Sequence, residues 1–142
     1  MSFFRASDRS VSLGLLFLRL AAAAVFINHG YQKMFGMGFS GVTGAFTHMG
    51  VPLPGLSGPL IALLEFFGAI ALALGFLTRL VAIGFVCDML GAILLVQLKN
   101  GFSHYELEFM LCGASLALAF AGAGRFSIDR AIGDRRARQG GV

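Results

Sequence analysis

The side chains that could do chemistry are few, and most stand beside or inside apolar segments. The candidates for a binding pocket are six residues near one end of the predicted helices: His29, Lys33, Glu65, His104, Tyr105 and Glu106. Together they offer acids, bases and a cation, which could pass protons or attract a small anion. Glu65 stands alone within an apolar run, where an isolated acid is a candidate functional residue. The alternative is that Lys33 and the two glutamates only neutralise one another between helices.

Two more charged residues, Arg19 and Asp88, lie within apolar runs. A cation in the hydrocarbon of a bilayer costs about 2.5–3.5 kcal/mol and therefore needs a partner or water. Each of the two residues stands about eight residues, roughly 12 Å, from the same end of the predicted bundle. We therefore predict an intramembrane Arg19–Asp88 ion pair, which is either structural or engaged in proton or substrate handling.

Residue spacing disfavours other chemistries. A haem would need two facing imidazoles, and only His29 and His104 could supply them, both near the predicted outer surface. Cys87 and Cys112 lie inside apolar segments and form no CxxC motif, so we interpret them as small packing residues. The sequence contains no metal-ligand spacing, phosphate loop or nucleophile motif. We therefore predict no metal site and assign no catalytic residue.

The composition is that of an integral membrane protein. The chain has 142 residues, of which 57% are hydrophobic and 13% charged, and its mean hydropathy is +0.82. A soluble domain carries about 25% charged residues, and the length fits a single domain. The sequence pI is about 9.7, but the basic residues are distributed as in a membrane protein. We therefore expect a lipid bilayer, and no nucleic acid, as the partner of this chain.

The apolar runs predict an all-α fold, an integral membrane four-helix bundle. The spans are expected at about residues 11–34, 60–77, 80–98 and 106–121, which places the domain at 11–122. A cytoplasmic lead-in, residues 1–10, precedes the domain, and a basic cytoplasmic tail, residues 123–142, follows it. We expect disorder in the tail beyond Asp134. The Gly- and Pro-rich connection between the first two spans indicates an interfacial loop that contains a short amphipathic helix.

The distribution of positive charges predicts the orientation in the membrane. With four spans, one side carries eight arginines and the other side only Lys33 and Lys99. This asymmetry predicts that both termini are cytoplasmic. Arg5 and Arg9 ahead of the first apolar run also resemble the start of a signal peptide. Because that run is long for a signal peptide and three apolar segments follow, we expect an uncleaved, multi-pass protein of the bacterial cytoplasmic (inner) membrane.

Helical spacing predicts which residues form the seams between helices, because small residues let membrane helices approach closely. The predicted seams are Arg19, Ala22, Ala23, Phe26, Gly30 and Lys33 on the first span; Glu65, Gly68 and Gly75 on the second; Gly84, Asp88 and Gly91 on the third; and Glu106, Gly113 and Ala117 on the fourth. In this register Glu108 points away from the bundle.

Five segments, in order, resemble the DoxX family of small four-span bacterial membrane proteins. They are LRL at 18–20, HGYQKMFG at 29–36, LLEFFGAIALALGFLTR at 63–79, NGFSHYELEF at 100–109 and GAGRFSID at 122–129. The family more often has Pro where Ala123 stands. The resemblance implies that the matching polar positions are Arg19, His29, Lys33, Glu65, Arg79 and Glu106.

The resemblance also implies a link to membrane redox complexes, because some relatives resemble subunits of thiosulfate:quinone oxidoreductase or of thiol-redox systems. We therefore expect an accessory or scaffold subunit of a quinone-linked or sulfur/thiol-linked system, with a polar pocket that faces the periplasm. If the protein is catalytic, it is a quinone-linked oxidoreductase component. Quinone is the candidate cofactor, and further copies of the chain or membrane redox subunits are the candidate partners. The alternatives are a non-redox structural membrane protein and a small-solute or lipid transporter.

Overall fold

The computed structural model describes residues 7–139, which form helices joined by short turns and contain no β-strand. Helix α1, Asp8–Tyr31, passes without a break into a π-helical segment, Gln32–Met37. The side chain of Ser7 caps α1, since it accepts a hydrogen bond from the backbone N–H of Ser10 at 3.1 Å. Helix α2, Gly38–Met49, follows and confirms the short helix expected between the first two spans.

The remaining elements are also helices, two of which pass into π-helical segments. Their bounds are as follows: α3, Pro54–Leu63, which continues through the π-helical segment Leu64–Gly68 into α4, Ala69–Leu74; α5, Thr78–Gly91, which continues through the π-helical segment Ala92–Gln97; the 3-10 turns Leu98–Asn100 and Phe102–His104; α6, Glu106–Ala121; and α7, Ile128–Gln139. The second predicted span therefore begins earlier than expected, at Pro54.

Three stretches of residues 7–139 are long and apolar enough to cross a membrane: Asp8–Met49, Pro54–Leu74 and Thr78–Asn100. The prediction of four such spans is therefore confirmed for three. The fourth helix, α6, has the predicted bounds, but its 16 residues extend only about 24 Å. The hydrocarbon core of a bilayer is about 30 Å thick, so α6 is shorter than a usual span.

The predicted seam of the first span is confirmed, because Arg19, Ala22, Ala23, Phe26 and Gly30 are buried on α1. The ring of Phe26 stacks on that of Phe85 from α5, with 3.8 Å between the centroids. This contact joins the first and third long helices at the centre of the core.

The predicted seam of the fourth span is wrong. The buried residues of α6 are Leu111, Cys112, Ser115 and Leu118, whereas Glu106, Gly113 and Ala117 are exposed. Around most of its circumference α6 is apolar, so its sequence does not distinguish the side that faces protein from the side that faces lipid.

The segment after α6 returns to the end of the bundle at which α1 begins. The backbone N–H of Arg125 donates a hydrogen bond to the hydroxyl of Ser12 at 3.3 Å. The carboxylate of Asp129 accepts hydrogen bonds from the backbone N–H groups of Leu77, at 2.8 Å, and Thr78, at 2.9 Å. A residue far along the chain thereby caps the start of α5.

The expectation that the tail is disordered beyond Asp134 is wrong for residues 135–139, because α7 extends to Gln139, and its last part, residues 140–142, lies outside the described residues. Arg130 and Asp134 form an ion pair one turn apart in this helix, at 3.1 Å. Pairs at this spacing stabilise a helix on its own surface, without contacts to a core.

The predicted Arg19–Asp88 ion pair is also wrong. The Nη2 atom of Arg19 donates a hydrogen bond to the backbone oxygen of Phe126 at 2.7 Å. Side chains on a helix lean toward its N-terminus, so the long Arg19 side chain reaches the end of the bundle where α5 begins at Thr78. Asp88 lies ten residues farther along α5, which is about 15 Å away.

Gly75 is the residue that makes room for Arg19. Its φ of +68° is unfavourable for residues with a Cβ, and a Cβ built on it would overlap both the Nη1 atom of Arg19 and the Cβ of Ser127.

We expect Gly75→Ala to lower the free energy of unfolding by about 2 kcal/mol, through left-handed backbone strain and displacement of Arg19. Reversible unfolding in mixed detergent micelles measures this loss. Gly113→Ala, at an exposed position with open space around it, is the matched control and should leave stability unchanged or slightly higher.

Candidate functional site

A cavity of about 230 Å³ lies between the long helices, and we call it the central cavity. Its walls are mostly apolar and come from α1, α2, α3, α5 and α6, with Phe26 and Leu111 among the buried residues that line it. Leu95 and Leu107 also line it and are about half exposed on the outside of the protein, at 50% and 46%. The cavity therefore opens to the surface between the helices. Its polar lining residues are His29, Lys33, Glu65, Asp88, Gln97 and Glu108.

Lys33 and Glu65 form an ion pair in the wall of the central cavity, with 2.5 Å between Nζ and Oε2. The Glu65 side chain is 3% exposed and that of Lys33 is 21% exposed. The carboxylate is therefore held inside the protein, while the ammonium group stays partly accessible. A buried charge needs such a partner because desolvation is costly.

A second carboxyl group, that of Asp88, lies beside Glu65 and within electrostatic range of Lys33. Asp88 is 8% exposed, and its Oδ2 atom has no hydrogen-bond partner among the described residues. When all three groups are ionised, two carboxylates face one ammonium and their formal charge is −1. The cluster can therefore take up a proton, or donate a hydrogen bond from a protonated carboxyl group to a ligand in the cavity.

Gly30 lets α1 approach the segment that carries Glu65. A Cβ built on Gly30 would overlap the backbone nitrogen of Phe66 and would lie 2.7 Å from the carbonyl carbon of Glu65. Only glycine allows backbones to come this close. Because Lys33 stands three residues after Gly30 on the same face, this approach brings the ammonium group to the Glu65 carboxylate.

Three π-helical segments border the central cavity, and each supplies lining residues. Gln32–Met37 carries Lys33, Leu64–Gly68 carries Glu65, and Ala92–Gln97 carries four lining residues, among them Gln97. A π-helical turn widens the helix and redirects its side chains, and such turns occur frequently at functional sites.

Comparison with known proteins places this chain in a family. The family model described as DoxX matches residues 14–98, which is more than half of the chain. This protein belongs to the DoxX family. The match includes all three π-helical segments and Lys33, Glu65 and Asp88.

Several curated relatives resemble this DoxX protein along most of their length. It is similar to "Putative oxidoreductase CatD" of Bacillus subtilis, with 31% identity over 86% of this chain and 89% of the relative. It is also similar to two inner membrane proteins of Escherichia coli: YphA, with 31% identity over 82% of this chain and 88% of the relative, and YqjF, with 35% identity over 84% and 92%. No solved structure matches the chain significantly.

The structure of this DoxX protein brings three of the six predicted pocket residues together. His29, Lys33 and Glu65 line the central cavity, whereas His104, Tyr105 and Glu106 do not. Tyr105 instead packs edge-on against Phe102, with 5.2 Å between the ring centroids. His104 and Glu106 are exposed where the 3-10 turn meets α6. Ligand binding by the three cavity residues stays a prediction.

Sequence reasoning missed two acids of the cavity. Asp88 was assigned to Arg19, and Glu108 was expected to point away from the bundle, although it lines the cavity. The sequence of α6 does not mark Glu108, but the structure explains its position. Glu108 stands three and four residues before Leu111 and Cys112, the buried residues of α6, and therefore shares their face. His29 and His104, the imidazoles considered for a haem, do not share the cavity.

Proposed function

We propose that this DoxX protein binds the head group of a quinone in the central cavity and acts as an accessory subunit of a membrane redox system. The observation that carries the proposal is the ion pair of Lys33 and Glu65 beside Asp88 in the wall of an otherwise apolar cavity. Such a site offers a hydrogen-bond donor and acidic groups to a ligand whose ring is apolar.

The size of the cavity supports a small ligand. Pockets for drug-sized molecules measure about 300–1,000 Å³, and the central cavity, at about 230 Å³, is smaller. One substituted six-membered ring is a suitable occupant. The half-exposed Leu95 and Leu107 mark an opening through which an isoprenoid tail would reach the lipid.

The charges of the cavity favour a neutral ligand over a sulfur anion. Lys33 is already paired with Glu65, and Asp88 and Glu108 add further carboxyl groups. An anion would therefore meet more negative than positive groups in a partly desolvated site. A quinone carbonyl, in contrast, can accept a hydrogen bond from the Lys33 ammonium group or from the imidazole N–H of His29.

Reduction of a quinone to a quinol consumes two electrons and two protons. In the proposed role, the carboxyl groups of Glu65 and Asp88 pass protons to the quinone oxygens, and a partner redox subunit supplies the electrons. The printed name of one relative, "Putative oxidoreductase CatD", supports this direction.

We also propose that α6 completes a fourth crossing with both chain ends in the cytoplasm. The contact between Arg125 and Ser12 supports this topology, because it holds the segment after α6 at the end of the bundle where α1 begins. The excess of arginines at that end supports the cytoplasmic side. The central cavity would then open toward the periplasmic half of the membrane.

Quinone binding to the purified protein tests the proposed function. We expect quinone in the lipid extract of the purified protein and saturable binding of a short-chain ubiquinone or menaquinone analogue in equilibrium dialysis. Glu65→Gln should weaken binding at least about tenfold, because the ion pair that orients Lys33 is lost.

Glu106→Gln is the matched control, because Glu106 is an acid of the same type outside the cavity. It should leave quinone affinity unchanged. Equal weakening by Glu65→Gln and Glu106→Gln, or a wild-type protein that binds no quinone analogue, would contradict the proposal.

A further inference from the structure

A second cavity, of about 590 Å³, lies at the end of the bundle where α1 and α5 begin. We call it the arginine hollow. The start of α5 forms one side, and the segment that follows α6 forms the other. The hollow shares no lining residue with the central cavity. Its charged lining residues are Arg79, Arg125, Asp129 and Arg130.

The arginine hollow carries an excess of positive charge. Arg130 is paired with Asp134, but Arg79 and Arg125 form no ion pair within residues 7–139. Among the described residues, the only carboxylate that lines the hollow is that of Asp129, and its two oxygens already accept hydrogen bonds from the backbone of α5. Two guanidinium groups are therefore available to an anion.

A third guanidinium group, that of Arg19, lies beneath the hollow. Arg19 is 1% exposed and donates to the backbone oxygen of Phe126, which stands between two residues that line the hollow, Arg125 and Ser127. Its Nε and Nη1 atoms have no hydrogen-bond partner in the described part of the chain, and it forms no ion pair there. Asp129 lies within electrostatic range of Arg19, but it forms no direct contact with the guanidinium, and both of its oxygens accept hydrogen bonds from the backbone of α5. A buried cation with so indirect a counter-ion is costly, and an anion in the hollow would reduce that cost.

The rim of the arginine hollow is apolar. Leu80 lines the hollow and is 66% exposed, and Phe76 and Phe126 beside it are 40% and 44% exposed. The hollow lies at the end of helices whose outer surfaces are apolar, so its depth matches the interface between lipid head groups and acyl chains. A ligand that is anionic at one end and apolar at the other fits both features.

We propose that the arginine hollow binds the phosphate of an anionic phospholipid, with Arg79 and Arg125 as direct ligands and Arg19 as a buried charge beneath them. The acyl chains lie against the exposed apolar side chains of the rim. Basic pockets at the ends of membrane helices bind anionic head groups in this way. Inorganic phosphate shares the head-group chemistry but makes no use of the apolar rim. The proposal is independent of quinone binding, because it concerns a separate cavity.

Lipid-dependent thermal stability of the purified full chain in maltoside detergent tests the proposal. We expect dioctanoyl-phosphatidylglycerol to raise the unfolding temperature in a saturable way, and dioctanoyl-phosphatidylcholine or inorganic phosphate at equal concentration to have little effect. Arg79→Gln and Arg125→Gln should each weaken the apparent phosphatidylglycerol affinity about fivefold, and the double variant about 30-fold.

Arg136→Gln is the matched control, because Arg136 is exposed on α7 and does not line the hollow. It should bind phosphatidylglycerol like the wild type. The exposed Arg125 side chain makes no hydrogen bond within residues 7–139, so Arg125→Gln should unfold at the wild-type temperature without lipid and decides the test if Arg79→Gln is unstable.

Three outcomes would overturn the proposal. Equal stabilisation by phosphatidylcholine would show a general lipid effect, and equal stabilisation by inorganic phosphate would assign the hollow to a free anion. Undiminished phosphatidylglycerol affinity in Arg125→Gln would exclude this hollow as the lipid site.

Discussion

Gly30→Ala is expected to lower the free energy of unfolding by about 2–4 kcal/mol, a large effect for one methyl group. The added Cβ would overlap the backbone of Phe66, which cannot move as a flexible side chain could. Insertion of a methyl group into a packed interior costs about 1–3 kcal/mol. Here α1 must also move away from the segment that carries Glu65, which lengthens the contact between Lys33 and Glu65.

Reversible unfolding in mixed micelles measures this loss, and quinone affinity should fall in the same variant. The control is Gly14→Ala on the same helix, where a Cβ meets no atom within 4 Å. This control should retain both stability and affinity. A Gly30→Ala protein as stable as Gly14→Ala would show that the helices can separate without cost.

Lys33→Met is expected to lower the free energy of unfolding by about 3 kcal/mol. It leaves the nearly buried Glu65 carboxylate beside Asp88 without a cation, and removal of one partner from a buried pair costs about 3–5 kcal/mol. We place the effect at the lower end of this range because the Lys33 side chain is 21% exposed. Methionine keeps most of the apolar length of lysine, so the loss is mainly electrostatic.

The double variant Lys33→Met with Glu65→Gln separates charge from packing. It should be more stable than Lys33→Met alone, since the uncompensated carboxylate is removed, and a double-mutant cycle gives the coupling energy. Lys99→Met is the control, because Lys99 is exposed and forms no ion pair within the described residues. Additive effects of Lys33→Met and Glu65→Gln would refute the importance of the pair.

The inward face of α1 could be predicted from the sequence. Small residues and Phe26 recur at helical spacing there, and an arginine within an apolar run must face the protein rather than the lipid. The same reasoning identified Glu65 as a residue on a packed face, and it is buried. Helical periodicity and the cost of a charge in lipid depend only on residues close together in the chain, so the buried face can be predicted without coordinates.

The partners of the buried charges could not be predicted in the same way. The prediction assigned Asp88 to Arg19 from their similar depth, but depth ignores the direction in which a long side chain leans along its helix. Arg19 reaches the backbone of Phe126, a contact between residues 107 positions apart. A backbone carbonyl exists at every residue, so no residue type marks this acceptor in the sequence.

The sequence by itself determined that this DoxX protein is a helical membrane protein, because hydrophobic length and the scarcity of charge leave no other stable class. It also determined which face of α1 is buried. Only the tertiary structure decided that Glu108 rather than Glu106 lines the central cavity, and that the segment after α6 returns to cover Arg19. The physical reason is that rotation of an almost uniformly apolar helix changes its lipid contacts very little, so its orientation is set by the helices it packs against.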